Sequence, residues 1–149
     1  YLKTASLFKT SSFSGCIIGG GNENDTKNIS EFGYHFGMAY QIQDDILDIT
    51  SSKNKEGKPV LNDLSEGVIT LPLILYLESQ NYKKDVIKQF SNNEKDVLLN
   101  EITRSNSIDR SKEIVNYHYE KALYSLLTIP ESNYRKALES IITISRNRI

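Results

Sequence analysis

Cysteine is almost missing from this chain. Cys16 stands alone among 149 residues, so no intrachain disulfide can form. It lies in the small apolar run Gly15-Cys16-Ile17-Ile18-Gly19, which reads as packing in a protein of the reducing cytoplasm. Long apolar runs are missing too. The longest, Ile69–Leu77, is interrupted by Pro72 and falls short of the roughly 20 residues that cross a bilayer. No secretory signal pattern is present. Neither sign of charge dominates: 18 Lys and Arg oppose 19 Asp and Glu, which leaves no electrostatic footing for nucleic acid. Strand alternation and two-residue hairpin turns are lacking, as are internal repeats. What remains is an all-α chain, long enough for one domain with a helical core.

The helices follow from periodicity and from their stop signals. Thr4 to Ile18 is a small-residue amphipathic segment, and Gly19-Gly20-Gly21-Asn22 ends it as a glycine C-cap does. A phosphate-cradling loop is the sharper reading of those glycines, but no strand precedes them and no Lys-Ser/Thr follows. A second helix is expected from about Asn28 to Thr50, then a polar loop over Ser51–Asp63. Next come a helix from Leu64 or Thr70 to Ser79, and shorter ones at Asp85–Phe90 and Glu94–Ser105. Long helices fit Ile108–Ile129 and Glu131–Arg148, with Pro130 at the corner. Asn22–Asn28 and the cluster Lys83-Lys84-Asp85 read as solvated surface.

Acids sit inside the second helix, in Gln41-Ile42-Gln43-Asp44-Asp45-Ile46-Leu47-Asp48. At about 100° per residue, with Asp44 at zero, Asp48 falls near 40°, Gln41 near 60° and Asp45 near 100°. Met38, Ala39, Ile42, Ile46 and Ile49 take the opposite side. Asp is a poor interior helix former, and like charges four apart cost roughly 0.2–0.5 kcal/mol. Paired acids of this kind serve as solvated faces, as partners for basic neighbours, or as cation ligands. Mg²⁺, a hard ion that is often shared with substrate phosphates, suits the last role. Gly33 and Gly37 fall on the same stripe. Each costs about 1 kcal/mol against alanine in a helix interior, so a neighbouring helix or a ligand chain must come close there.

Single residues add less. Lys58, in the loop Glu56-Gly57-Lys58-Pro59, is either a surface lysine or a mobile charge over a phosphate. Lys3-Thr4 offers a charge and a hydroxyl at the head of the first helix. His35 lies opposite Asp44 on the apolar side and reads as a satisfied core residue. His118 has no second ligand at metal spacing.

Taken together, these residues carry a resemblance. Phe32-Gly33…Gly37-Met38-Ala39-Tyr40-Gln41-Ile42-Gln43-Asp44-Asp45-Ile46-Leu47-Asp48 resembles the second aspartate-rich motif of trans-polyprenyl diphosphate synthases. Gly57-Lys58-Pro59…Asp63-Leu64…Gly67…Thr70-Leu71-Pro72 is similar to the stretch that follows it in that family, and Lys3-Thr4-Ala5 to the Lys-Thr that precedes it. The final segment from Tyr119 to Arg146 is similar to the family's last two helices. Among subgroups, bacterial long-chain, heptaprenyl-type catalytic subunits are most alike.

The resemblance implies the carboxy-terminal half of an isoprenoid-synthase helical bundle, with residues 1–149 as part of a single synthase domain. It implies Mg²⁺-dependent condensation of an allylic diphosphate with isopentenyl diphosphate. Asp44, Asp45 and Asp48 would ligate Mg²⁺ directly or through water. Lys3 and Lys58 would contact the allylic diphosphate, and Thr4 and Gln41 would turn oxygen dipoles toward the cation and leaving group. Arg146 and Arg148 at the tail either close over a diphosphate or end a solvated helix. A homo- or hetero-oligomer, commonly a dimer, is expected.

Departures from the pattern matter as much. Leu61 stands where many members have glycine, Val68 where many have lysine, and Tyr40 where Phe is usual. Nothing matches the family's first aspartate-rich motif, and the chain opens on Tyr1 already within a helical pattern. A fragment, a processed chain or a split gene product is therefore expected, inactive until it meets an amino-terminal half. The competing expectation is a noncatalytic helical partner subunit. A terpene cyclase is disfavoured because no Asn/Asp-Ser/Thr-Glu triad appears on a later helix.

Overall fold

The computed structural model describes residues 1–50, 62–80 and 95–149. Lys58, Leu61, most of the expected Ser51–Asp63 loop, the Asp85–Phe90 helix and Lys83-Lys84-Asp85 lie outside the described residues. All regular structure among the described residues is helical, in the order α1 (Ala5–Ile18), α2 (Glu23–Thr50), α3 (Asn62–Ser65), α4 (Leu71–Ser79), α5 (Lys95–Arg104), α6 (Ser107–Leu127) and α7 (Asn133–Arg146). The all-α expectation holds. No described helix is long and apolar enough to cross a membrane. Two compact units divide the chain: Tyr1–Gln43 with Ile114–Ile149, and Asp44–Glu113.

In the first unit, the expected stop of α1 is a paired glycine cap. Gly20 takes φ +77°, which an L side chain resists. Its N–H reaches the Ile17 carbonyl at 3.1 Å, and the Gly21 N–H reaches Cys16 at 2.9 Å, the Schellman pattern. These glycines thus satisfy the helix's own carbonyls, which removes the phosphate-loop reading. Five residues earlier than expected, α2 begins at Glu23. The Asn22 side chain accepts from the Asp25 N–H at 2.9 Å, and the Asp25 carboxylate accepts from the Asn22 N–H at 3.4 Å. This reciprocal cap sits in the stretch that composition marks as mere solvated surface.

α1 packs on the glycine stripe of α2. A Cβ on Gly37 would stand 2.6 Å from the Ala5 Cα, and one on Gly33 would stand 2.5 Å from the Phe8 carbonyl oxygen. The neighbour that the two glycines imply is therefore α1 itself. Phe8 then meets Phe36 edge-on at 5.2 Å. Ala5, Phe36, Ala39, Tyr119, Ala122, Leu126 and Ile142 are among the buried residues of this unit. Gln43, fully buried, donates to the Ser145 carbonyl at 2.9 Å and accepts from the Tyr119 hydroxyl. One amide thus joins α2, α6 and α7.

The second unit buries Ile46, Ile49, Leu73, Leu75, Leu77, Leu98, Ile102 and Ile108. Its α3 and α4 are separate: Gly67 at φ +78° turns the chain between them, so the helix expected from Leu64 or Thr70 starts at Leu71, with Pro72 in its first turn. α4 packs on α5, where the Tyr76 hydroxyl donates to the Glu101 carboxylate. Burial, and then that carboxylate, push the Tyr76 phenol up to about 12.

Candidate functional site

The residues that the sequence nominates fall into two groups, one in each unit. In the first unit Thr4 occupies the N-cap position of α1, at φ −144° and ψ −52°, yet its side chain makes no capping bond. An N-cap threonine usually spends its oxygen on its own helix. Here the hydroxyl donates instead to the Gln41 amide oxygen, 37 positions along the chain. α1 therefore lies along the stripe of α2 as far as Gln41, where its first turn begins. Lys3 is exposed beside this pair, while Thr4 and Gln41 are half-buried.

In the second unit, α2 carries Asp44, Asp45 and Asp48. Burial separates them: Asp45 is 8% exposed, whereas Asp44 and Asp48 are half-buried. The Asp48 carboxylate accepts from the Asp63 N–H at 3.3 Å, which ties the first turn of α3 back to α2. Among the described residues no group of three or more His, Cys, Asp or Glu side chains is arranged to hold a metal ion. A Mg²⁺ ion does not need three protein ligands, since one or two carboxylates suffice when phosphate oxygens and water complete the octahedron. Asp44 and Asp48, one helical turn apart and both partly open, fit that requirement. Val68 is exposed.

Sequence reasoning missed other contacts. His118 is paired with His35, their Nδ1 atoms 2.9 Å apart; the partner comes from another helix, which spacing along α6 cannot reveal. Arg146 is held to Glu120 at 3.6 Å and to the Asn116 amide oxygen at 3.1 Å, so it braces α7 on α6. Arg148 stacks over the Tyr40 ring at 4.6 Å. A cleft of about 630 Å³ lies at the far end of α1 from Thr4, over Phe13 and Ile17. Lys9 and Lys27 on its walls are balanced by Glu23 and Glu31, and none of the nominated residues lines it.

Comparison with known proteins agrees with the motif. A family profile described as polyprenyl synthetase matches residues 1–105. The chain is 38% identical over 130 residues to a geranylgeranyl diphosphate synthase of Sulfolobus acidocaldarius, covering 83% of this chain and 39% of that one. It is 35% identical over 136 residues to heptaprenyl diphosphate synthase component 2 of Bacillus subtilis, covering 89% and 39%. Among solved structures, the heptaprenyl diphosphate synthase of Staphylococcus aureus superposes with a TM-score of 0.85 at 31% identity, over 97% of this chain and 46% of that one. An Arabidopsis medium/long-chain prenyl pyrophosphate synthase gives a TM-score of 0.86 at 29% identity, over 99% and 52%. The chain thus spans about two fifths of the length of the curated relatives it matches.

Proposed function

The chain belongs to the polyprenyl synthetase family, and on that premise we propose that it forms the carboxy-terminal part of a polyprenyl diphosphate synthase. The reaction joins an allylic diphosphate to isopentenyl diphosphate. The allylic C–O bond breaks, its electron pair leaves with diphosphate, the second substrate's double bond attacks the allylic carbon, and the departing diphosphate takes the released proton. The observation that carries this reading is the Thr4 hydroxyl, taken from its own helix and fixed on Gln41, three positions before Asp44 on α2.

Asp44 and Asp48 would hold Mg²⁺, and buried Asp45 would orient them or reach the ion through water. When bound, the ion neutralises charge that builds on the departing diphosphate. Thr4 and Gln41 set fixed oxygen dipoles toward the allylic cation as the leaving group departs, preorganised by their mutual hydrogen bond. Lys3 and Lys58 add point charges on the phosphate oxygens. No histidine base is required.

The partner in this reading is an amino-terminal half bearing the first aspartate-rich motif. α1 supports that idea, since Lys9 is its sole charged residue. It also exposes Leu7, Phe13, Ile17 and Ile18, with Leu7 at 72% and Ile18 at 87%. Apolar side chains exposed together on one helix mark an interaction surface.

The test mixes this chain with the amino-terminal half of a related synthase and assays chain elongation. Activity is expected, and Asp44→Ala should remove at least a hundredfold of it, on the order of the loss of a preorganised charge contact. Full activity in that variant would sink the assignment. The exposed Val68, in place of a lysine, favours a second reading: a noncatalytic partner subunit. Thermal stability unmoved by Mg²⁺ with a bisphosphonate would favour it, because a ligand of the native state must raise stability.

A further inference from the structure

The chain's two histidines meet each other in the first unit. Nδ1 of His35 on α2 lies 2.9 Å from Nδ1 of His118 on α6, with ring centroids 5.1 Å apart. His118 is 9% exposed. At this separation one Nδ1 carries a hydrogen and donates while the other is bare and accepts. Glu31 stands 3.8 Å from His35 Nε2. Tyr34 and Tyr117 pack edge-on against the rings, and Lys121 on α6 acts on His35 as a like charge. From α1, Lys9 reaches the Tyr34 ring at 5.7 Å, and Tyr1 also packs on Tyr34.

We propose that His35 and His118 form a proton-operated latch between α2 and α6, closed while the pair carries at most one extra proton and opened by the second. The geometry distinguishes the two protons. A first proton goes to His35 Nε2, on the Glu31 side, and leaves the Nδ1–H···Nδ1 bond intact. A second must go to the accepting Nδ1 of His118, which sets two N–H groups and two positive charges face to face at 2.9 Å. The bond cannot survive that, and the rings must separate.

The surroundings act in the same direction. Burial holds His35 below its ordinary value, with Glu31 raising it and Lys121 lowering it. Burial, then His35, brings His118 down to about 4. Both groups have folded-state values below the unfolded one of 6.5. Their contribution is therefore complete above pH 6.5 and is lost as pH falls toward about 4, where the fold must take up the second proton.

The test uses the full 149-residue chain with histidine-selective isotope labelling and an imidazole NMR titration from pH 7.5 to 4. We expect His118 to titrate far below 6.5, with the Tyr34 and Tyr117 ring signals shifting in the same step. In parallel, the unfolding constant should rise on the order of a hundredfold over that window, and His118→Gln should remove most of the rise. Two histidines titrating independently near 6.5, or an unchanged acid slope in His118→Gln, would overturn the proposal. If that variant does not fold, the wild-type titration alone decides.

Discussion

Replacing Gly37 with alanine drives a methyl group into the backbone of α1. The added Cβ stands 2.6 Å from Ala5 Cα and 3.1 Å from the Cβ atoms of Ala5 and Phe8. Relief requires α1 to move by roughly 1 Å, because carbon atoms pack at about 3.5–4 Å. Overpacking of this kind costs about 1–3 kcal/mol, and the better helix propensity of alanine offsets about 1 kcal/mol. The net expectation is a loss of roughly 0–2 kcal/mol, centred on about 1 kcal/mol. Gly15→Ala provides the internal control. It makes the same chemical change in α1, but its Cβ meets nothing within 4 Å. Propensity alone then acts, for a gain of up to about 1 kcal/mol. Urea denaturation followed by circular dichroism reads both, and the midpoints should move in opposite directions. If both variants shift the same way, close α1–α2 packing is not why α2 carries glycine there.

Further expectations rest on single contacts. Thr4→Val keeps the shape and removes the donor to Gln41, so stability should fall by only about 1 kcal/mol while elongation in the complemented assay drops far more; equal retention of activity would make the contact merely structural. Tyr76→Phe removes the donor to the half-buried Glu101 carboxylate and should cost about 1–3 kcal/mol in thermal unfolding. In the wild type, tyrosinate absorbance should show one of nine tyrosines ionising late, toward about 12. Because the fold favours the neutral phenol, its contribution is intact below pH 10 and lost as pH climbs toward about 12. The 149-residue chain purified by itself should self-associate through α1, since Leu7, Phe13, Ile17 and Ile18 are exposed on it; a compact monomer in size-exclusion chromatography would contradict this.

Much of the architecture is legible in the residues because it is written locally. The end of α1 is a run of glycines, the corner before α7 is a Pro-Glu-Ser, and the core faces repeat at helical period. The Ser132 side chain accepts from the Arg135 N–H at 3.1 Å, so α7 starts at Asn133 and not at Glu131. The early start of α2 was hidden because Asn22 and Asp25 look like any polar surface until their reciprocal bonds are seen. Of the candidate site, the acidic edge and the glycine stripe follow from angle alone. The diversion of Thr4 to Gln41 does not, since it joins positions 37 apart. Nor does the difference in burial between Asp45 and its neighbours, which depends on packing that a helical wheel does not contain. The histidine pair was illegible for the same reason: its members sit 83 positions apart.

Gln43 determines how α2 can turn within the first unit. Its amide must face one way, nitrogen to the Ser145 carbonyl and oxygen to the Tyr119 hydroxyl. A roll of α2 about its own axis by one residue would break both bonds and leave the Gln43 amide unsatisfied in a dry interior, at a cost of about 1–3 kcal/mol. The Ser145 carbonyl would keep the Arg148 N–H at 3.2 Å. The azimuth of α2 within the first unit is therefore keyed at Gln43. Leucine at position 43 would fill the space yet leave the helix free to precess, and glutamate would turn the key the wrong way against a carbonyl.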